Sequence, residues 1–379
     1  MTRLWSSFAV GLATAACGGP PPAPAPVPQI SPQEIATRIY LIGDAGAPRA
    51  AGEPVLEALS RDLAAQRVET VVVFLGDNVY PKGLPAPQDP ERAEAERRLR
   101  TQLQVVERAG VKGYFVLGNH DWNRFGKGGW EAALRQGHYI DSVGHGYATL
   151  KPEGGCPGPS IVDIGTRVRL LLLDTQWWLH AAPKPVDPTS SCPADSEQEI
   201  VDSLRSAIQN AGVRMTLVAA HHPLASGGPH GGHFGWEDHI FPLRLAVPWL
   251  WLPLPFIGSL YPSARQHGVS SQDMSSRAYQ RLIAAFRRAF SGRSPDLYAA
   301  GHEHNVEVIA GGPVPLQLVS GGGIYQHTDK AANIRGTLFA KGASGFARLD
   351  VPSAGPARLA VLTVTADGQS HEAFSTWVK

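Results

Sequence analysis

TVVVFLGDNVY, residues 70–80, runs from a β-branched, apolar stretch straight into a glycine and an aspartate. Thr70 to Leu75 suits a strand buried on both faces, and Asp77 then stands at that strand's carboxyl edge. A carboxylate placed there costs burial energy unless a partner meets it. The same construction recurs four times. Arg38 to Gly43 (RIYLIG) leads into GDAG at Gly43 to Gly46, and Gly113 to Leu117 leads into GNHD at Gly118 to Asp121. Arg214 to Ala219 leads into HHP at His221 to Pro223, and Leu297 to Ala300 leads into GHEHN at Gly301 to Asn305. Polar clusters that each follow a buried strand converge on one edge of a sheet, where ligand sites of α/β folds lie.

Between these strands the pattern is helical. Glu53 to Gln66, Pro90 to Ala109, Glu197 to Gln209 and Ser276 to Phe290 read as helices, and Val168 to Leu173 as a further strand. After residue 300 the helices stop, and Leu316 to Val319, Gly345 to Asp350 and Arg358 to Thr365 read as strands. The order predicts an α/β fold of two mixed sheets with helices outside them. With 43% apolar and 18% charged residues the chain is a globular protein and not a disordered one. A net charge of +1 gives no reason to expect nucleic acid as a partner.

Asp44, Asp77, Tyr80, Asn119, His221, His302 and His304 supply oxygen and nitrogen donors and no thiolate. Such a set suits Fe, Mn or Zn and is too rich in histidine for Ca²⁺ or Mg²⁺. Seven donors exceed what one tetrahedral ion needs, and suit two ions about 3.5 Å apart that share a carboxylate.

The ordered motifs resemble the calcineurin-like metallophosphoesterases, and within them the purple acid phosphatase branch, closest in layout to the tartrate-resistant acid phosphatases. The marks are GDAG, Tyr80 three residues after Asp77, the H-x-P of His221 to Pro223, and GHEHN, with SGGG at Ser320 to Gly323 and GFARLDV at Gly345 to Val351. The likeness runs over about residues 37–370 and implies a four-layer metallophosphoesterase-like sandwich. By that resemblance Asp44, Tyr80 and His304 hold a first iron, Asp77 bridges, and Asn119, His221 and His302 complete a second ion that is Fe, Zn or Mn. A phenolate donor favours Fe(III), so an Fe(III)–M(II) pair is expected, coloured by phenolate charge transfer. His120 and His230 are implied as catalytic groups facing substrate, with His233 the competitor of His230; His222 stands behind the ligands or forms pocket wall. The implied reaction is hydrolysis of a small phosphate monoester, by in-line attack of a metal-bound hydroxide and with an acid pH optimum. A phosphodiesterase or nucleotidase of the same superfamily, or a non-catalytic surface lipoprotein with a relict site, are the alternatives.

The flanks add location. Residues 1–16 carry a charge, a short apolar run and small residues in the order of a secretory signal. LATAAC before Gly18 looks like a bacterial lipoprotein signal with Cys17 the first mature residue; lipidation and ordinary secretion both stay open. Residues 17–36 form a proline-rich spacer, and the domain is expected over 37–379. Export to a periplasmic, outer-membrane-anchored or extracellular place makes a disulfide between Cys156 and Cys192 the economical reading, with two free thiols the alternative. Residues 233–273 form an insertion whose prolines at 248, 253 and 255 prevent a regular helix and exclude a membrane span. A lid, a membrane-facing loop at 245–261, a subunit contact, and a segment folded back on its own domain all stay open for it.

Overall fold

A computed structural model of the chain describes residues 26–66, 68–181, 183–186, 188, 190–245 and 249–378. The proposed signal, Cys17 and the first part of the spacer lie outside the described residues. Strand β1 (Ile35–Ile42) shows how the layers arise. Its alternate side chains Ile39 and Leu41 enter one apolar core, while Tyr40 and Ile42 enter another on the opposite face. Beside it lie β2 (Glu69–Phe74), β3 (Lys112–Phe115) and β4 (Ala148–Leu150), each parallel to its neighbour. The chain then builds a second sheet from β5 (Ser160–Ile164), β6 (Val168–Leu172), β7 (Met215–Ala219), β8 (Leu297–Ala300), β9 (Val306–Ala310), β10 (Leu316–Ser320) and β11 (Thr337–Lys341). It returns to the first with β12 (Gly345–Pro352), β13 (Ala357–Val364) and β14 (Ser370–Val378).

The strand orders are β14-β13-β12-β1-β2-β3-β4 and β11-β9-β10-β8-β7-β6-β5. In the first sheet the parallel strands β1 to β4 run to one edge and β12 to β14 add antiparallel strands at the other; in the second, a parallel centre carries antiparallel strands on both flanks. Ile39 and Leu41, with Val71 and Val73 in register across β2, meet Leu170, Leu172, Leu217 and Ala219 between the sheets. The outer face of the first sheet is covered by the helices Pro54–Ala64, Arg92–Ala109 and Gly129–Val143. Glu197–Gln209 and Arg277–Ala289 cover the second. Two sheets face to face with helices outside give the four expected layers.

Helix ends follow local chemistry. Ser196 and Glu199 form a reciprocal capping box, and Gly110 ends the helix Arg92–Ala109 at φ 67°. The helix Gly129–Val143 and strands β4, β5, β9, β11 and β14 were not read from the sequence. The first holds two glycines and gains its stability from packing Ala133 and Ile140 into the core. Cys156 and Cys192 are disulfide-bonded, with Cα atoms 5.5 Å apart. Among the described residues no helix is long and apolar enough to cross a membrane.

Candidate metal centre

Strands β1, β2 and β3 run parallel in one sheet and β7 and β8 in the other, and the seven candidate donors follow their carboxyl ends in the chain. Asp44, Asp77 and His302 take left-handed backbone, at φ 60°, 54° and 71°. Each such non-glycine residue costs on the order of 1 kcal/mol and persists where its surroundings impose it. Close approach of the turns needs glycine. A Cβ on Gly118 would stand 2.2 Å from Asp77 Oδ1, and one on Gly301 2.5 Å from Asp44 Oδ2.

The structure brings all seven side chains together. Tyr80 Oη lies 3.0 Å from Asp44 Oδ1 and 3.0 Å from His304 Nε2. Asp77 Oδ1 is 3.5 Å from His221 Nε2 and accepts the backbone N–H of His120 at 2.8 Å. Asn119 Oδ1 sits 3.1 Å from His221 Nε2 and 3.0 Å from His302 Nδ1. Asp44, Asp77 and His221 offer donor atoms within 4.8 Å of one another, as do His221, His222 and His302. His222 belongs to the framework, because Thr175 Oγ1 and Gln272 Oε1 occupy its two ring nitrogens at 2.8 Å each.

The chemistry of this donor set fits cations. His221 Nδ1 donates to the Leu75 carbonyl at 2.8 Å, and His302 Nε2 faces the Gln272 carbonyl at 3.4 Å. The inner nitrogens of both rings therefore present lone pairs, and what they face is another acceptor, Asn119 Oδ1. Burial and then the neighbouring Asp77 push the Asp44 carboxyl well above its usual range, while burial pushes His304 down to about 3. Burial, then the charge of Asp44, likewise raises the Tyr80 phenol. A bound cation would reverse the upward shifts of Asp44 and Tyr80, and it would use the imidazoles in the neutral form that burial already favours. The two clusters make a candidate dinuclear metal site.

A cavity of about 610 Å³ opens beside it, lined by Asp77, Tyr80, Asn119, His302 and His304 and also by His120 and His230. His120 Nδ1 donates to the Pro81 carbonyl at 2.7 Å, and its Nε2 lies 3.9 Å from Asp77 Oδ2. The His230 ring packs tilted against His302 at 4.1 Å between centroids, and burial, then the charge of Arg265, hold it well below the usual imidazole range. His233 is not among the residues lining this cavity. Another cavity, of about 580 Å³, lies beside the disulfide, and its lining includes Trp130, Pro152 and Pro159 but none of the seven donors.

A family model described as calcineurin-like phosphoesterase matches residues 37–306, well over half of the chain. The chain belongs to that family. Among solved structures it is similar to GAP50, the anchor in the inner membrane complex of Plasmodium, at 16% identity over 90% of this chain and 88% of that one, with a TM-score of 0.54. The yellow lupin purple acid phosphatase PPD1 is 16% identical over 93% of this chain but only 55% of its own, also at 0.54. PhoD is 10% identical over 94% of this chain and 72% of that one, at 0.51. At such identities these likenesses concern the fold. No curated protein matches the chain.

Like the donors, the framework of this calcineurin-like site is built from polar side chains, of which His222 alone has a place behind the ligands in the sequence motifs. Asp121, fully buried, accepts the N–H groups of Gly118 at 2.8 Å, Asn78 at 3.0 Å and Val79 at 3.1 Å, and so ties the Asp77 turn to the Asn119 turn. Gln272, Arg265 and Tyr261, all from the insertion, line the cavity. His327 packs tilted against His304, 4.3 Å between ring centroids. Asp121 lies inside GNHD and was within reach of the motif reading; the others carry no local signal.

Proposed function

We propose that this calcineurin-like phosphoesterase is an exported phosphomonoesterase of the purple acid phosphatase type. The observation that carries the branch is Tyr80, whose hydroxyl stands 3.0 Å from both Asp44 and His304 at the candidate centre. Asp44, Tyr80 and His304 would hold an Fe(III), Asn119, His221 and His302 an Fe(II), Zn(II) or Mn(II), and Asp77 both. When bound, the two ions neutralise phosphoryl oxygens and acidify a water for in-line attack.

The chain's own groups do the rest. The Pro81 carbonyl holds the Nδ1 proton of His120, which leaves Nε2 to give a proton to the departing ester oxygen. His230 offers a hydrogen bond to a phosphoryl oxygen from the opposite wall. To give that proton the His120 ring must carry one on each nitrogen, whereas His230 donates as a neutral ring, so the reading includes an acid pH optimum that rests on His120 alone. The disulfide suits an oxidising compartment and supports export, with residues 1–16 as signal, 17–36 as linker and 37–379 as the metallophosphoesterase domain. Attachment to a membrane through a lipidated Cys17 belongs to the same reading.

Metal analysis, a visible spectrum and rates on a panel of phosphate mono- and diesters test it. Two ions per chain, at least one of them iron, are expected, with a visible band that Tyr80→Phe removes and a preference for monoesters. An active, iron-free and colourless protein would falsify the branch while leaving the family intact. Preference for diesters would make the protein a phosphodiesterase on the same centre.

A further inference from the structure

The insertion of residues 233–273 has two limbs of opposite character. Its middle is exposed, with Trp249 78% and Phe256 94% accessible. Its last stretch is built into the candidate site. There the short helix Leu260–Gln266 carries Arg265, whose side chain is only 14% exposed and lines the cavity. Each of the three guanidinium nitrogens has a partner. Nε donates to the fully buried Asp273, Nη1 donates to Tyr261 Oη at 2.8 Å, and Nη2 donates to His230 Nδ1 at 2.9 Å. Asp273 is itself fixed, its second oxygen accepting the Ser270 N–H at 2.9 Å. The backbone repeats the link, since Met274 N–H donates to the His230 carbonyl at 2.9 Å.

Arginine keeps its charge and has donors only, so a nitrogen that faces Nη2 must accept. His230 Nδ1 therefore bears the lone pair, and the ring's one proton sits on Nε2. We propose that Arg265 is the positioning residue of His230, locking the imidazole in its Nε2–H tautomer and against His302, so that it offers a donor to a phosphoryl oxygen. The inference rests on the phosphatase reading for the use of that donor, but not for the lock itself. The insertion thereby gains a structural role, since its Arg265 to Asp273 end completes the substrate wall.

Two readouts test the lock. In full-length protein loaded with Zn(II), which is diamagnetic, nitrogen-15 spectra of the histidine rings should show His230 with an unprotonated Nδ1, assigned by its loss in His230→Ala. Arg265→Met should give mixed tautomers, whereas Arg265→Lys, which keeps a donor, should restore part of the wild-type pattern. A proton on Nδ1 of wild-type His230 overturns the proposal whatever the activity. In rates, Arg265→Met should lower kcat/KM for a phosphate monoester by about 10- to 100-fold, the usual scale for partners that orient functional histidines. In a His230→Ala background the same change should cost almost nothing further, because the two act as a unit. Full additivity overturns the lock. Wild-type protein inactive on every ester, with the tautomer as expected, would instead sink the phosphatase reading and leave the lock standing.

Discussion

The candidate centre has a carboxylate half and an imidazole half, and they are built by different means. Asp44, Asp77, Tyr80 and Asn119 follow β1, β2 and β3; Asp121, a residue of the same motifs, stitches the Asp77 and Asn119 turns, and the Asp44 N–H donates to the Gly76 carbonyl at 3.0 Å. His221, His302 and His304 follow β7 and β8, and two of these strand ends lean on the insertion. The Gln272 carbonyl faces His302, and the Gln272 side chain holds His222. The first half is therefore a product of the fold's core. The second is completed by a segment that enters the chain between its strands. A site so divided can keep its carboxylates fixed while its imidazole wall is remodelled by changing one loop.

Asp77 lies where the halves meet, 3.5 Å from His221 and bonded to the His120 backbone, so the most severe test of the division begins there. Asp77→Ala should remove both ions and lower activity by more than about 10²-fold, beyond what loss of an outer partner costs. The measurement is metal content beside the hydrolysis rate. Two ions retained in that variant would show that Asp77 does not join the halves.

Gln272→Ala should produce an intermediate effect confined to the imidazole half. It leaves the fully buried His222 with an unpaired ring N–H, a loss of about 1–3 kcal/mol. One ion should weaken, and the Tyr80-dependent absorption should stay, since among the described residues Gln272 bonds His222, Gln176 and His302 and none of Asp44, Tyr80 and His304. Thermal unfolding, metal content and the visible spectrum report these separately. Equal loss of both ions would erase the distinction between the halves and make the centre one cooperative unit.

The same division explains what the sequence could tell. A donor that follows a buried strand interrupts an apolar run, so Asp44, Asp77, Asn119, His221 and His302 were visible as polar residues in places that otherwise favour core. The sheets were legible for a like reason: runs such as VVVF and LLLL admit few alternatives. Edge strands β11 and β14 were not, because half-exposed residues such as those of TLFAK give no continuous apolar signal. Gln272 and Arg265 were hidden by distance along the chain. Their partners His222 and His230 lie 50 and 35 residues away, and no local pattern marks a side chain whose meaning is set by a contact of that span.

A near-silent double variant would separate the two limbs of the insertion. Trp249 and Phe256 stand almost free of the domain, so replacing both by serine removes little buried area. Exposed substitutions away from caps, cores and networks alter stability by about 0.5 kcal/mol or less. Neither residue lines the cavity, and neither lies among the partners of His222, His230 or His302. Metal content, kcat and KM should therefore match the unmutated protein, in contrast to Gln272→Ala, which alters a neighbouring part of the same segment. Steady-state kinetics on the double variant, with metal analysis alongside, make the measurement. A fall in metal content there would mean that the exposed limb also braces the imidazole half, and the boundary drawn between the limbs would have to move toward Trp249.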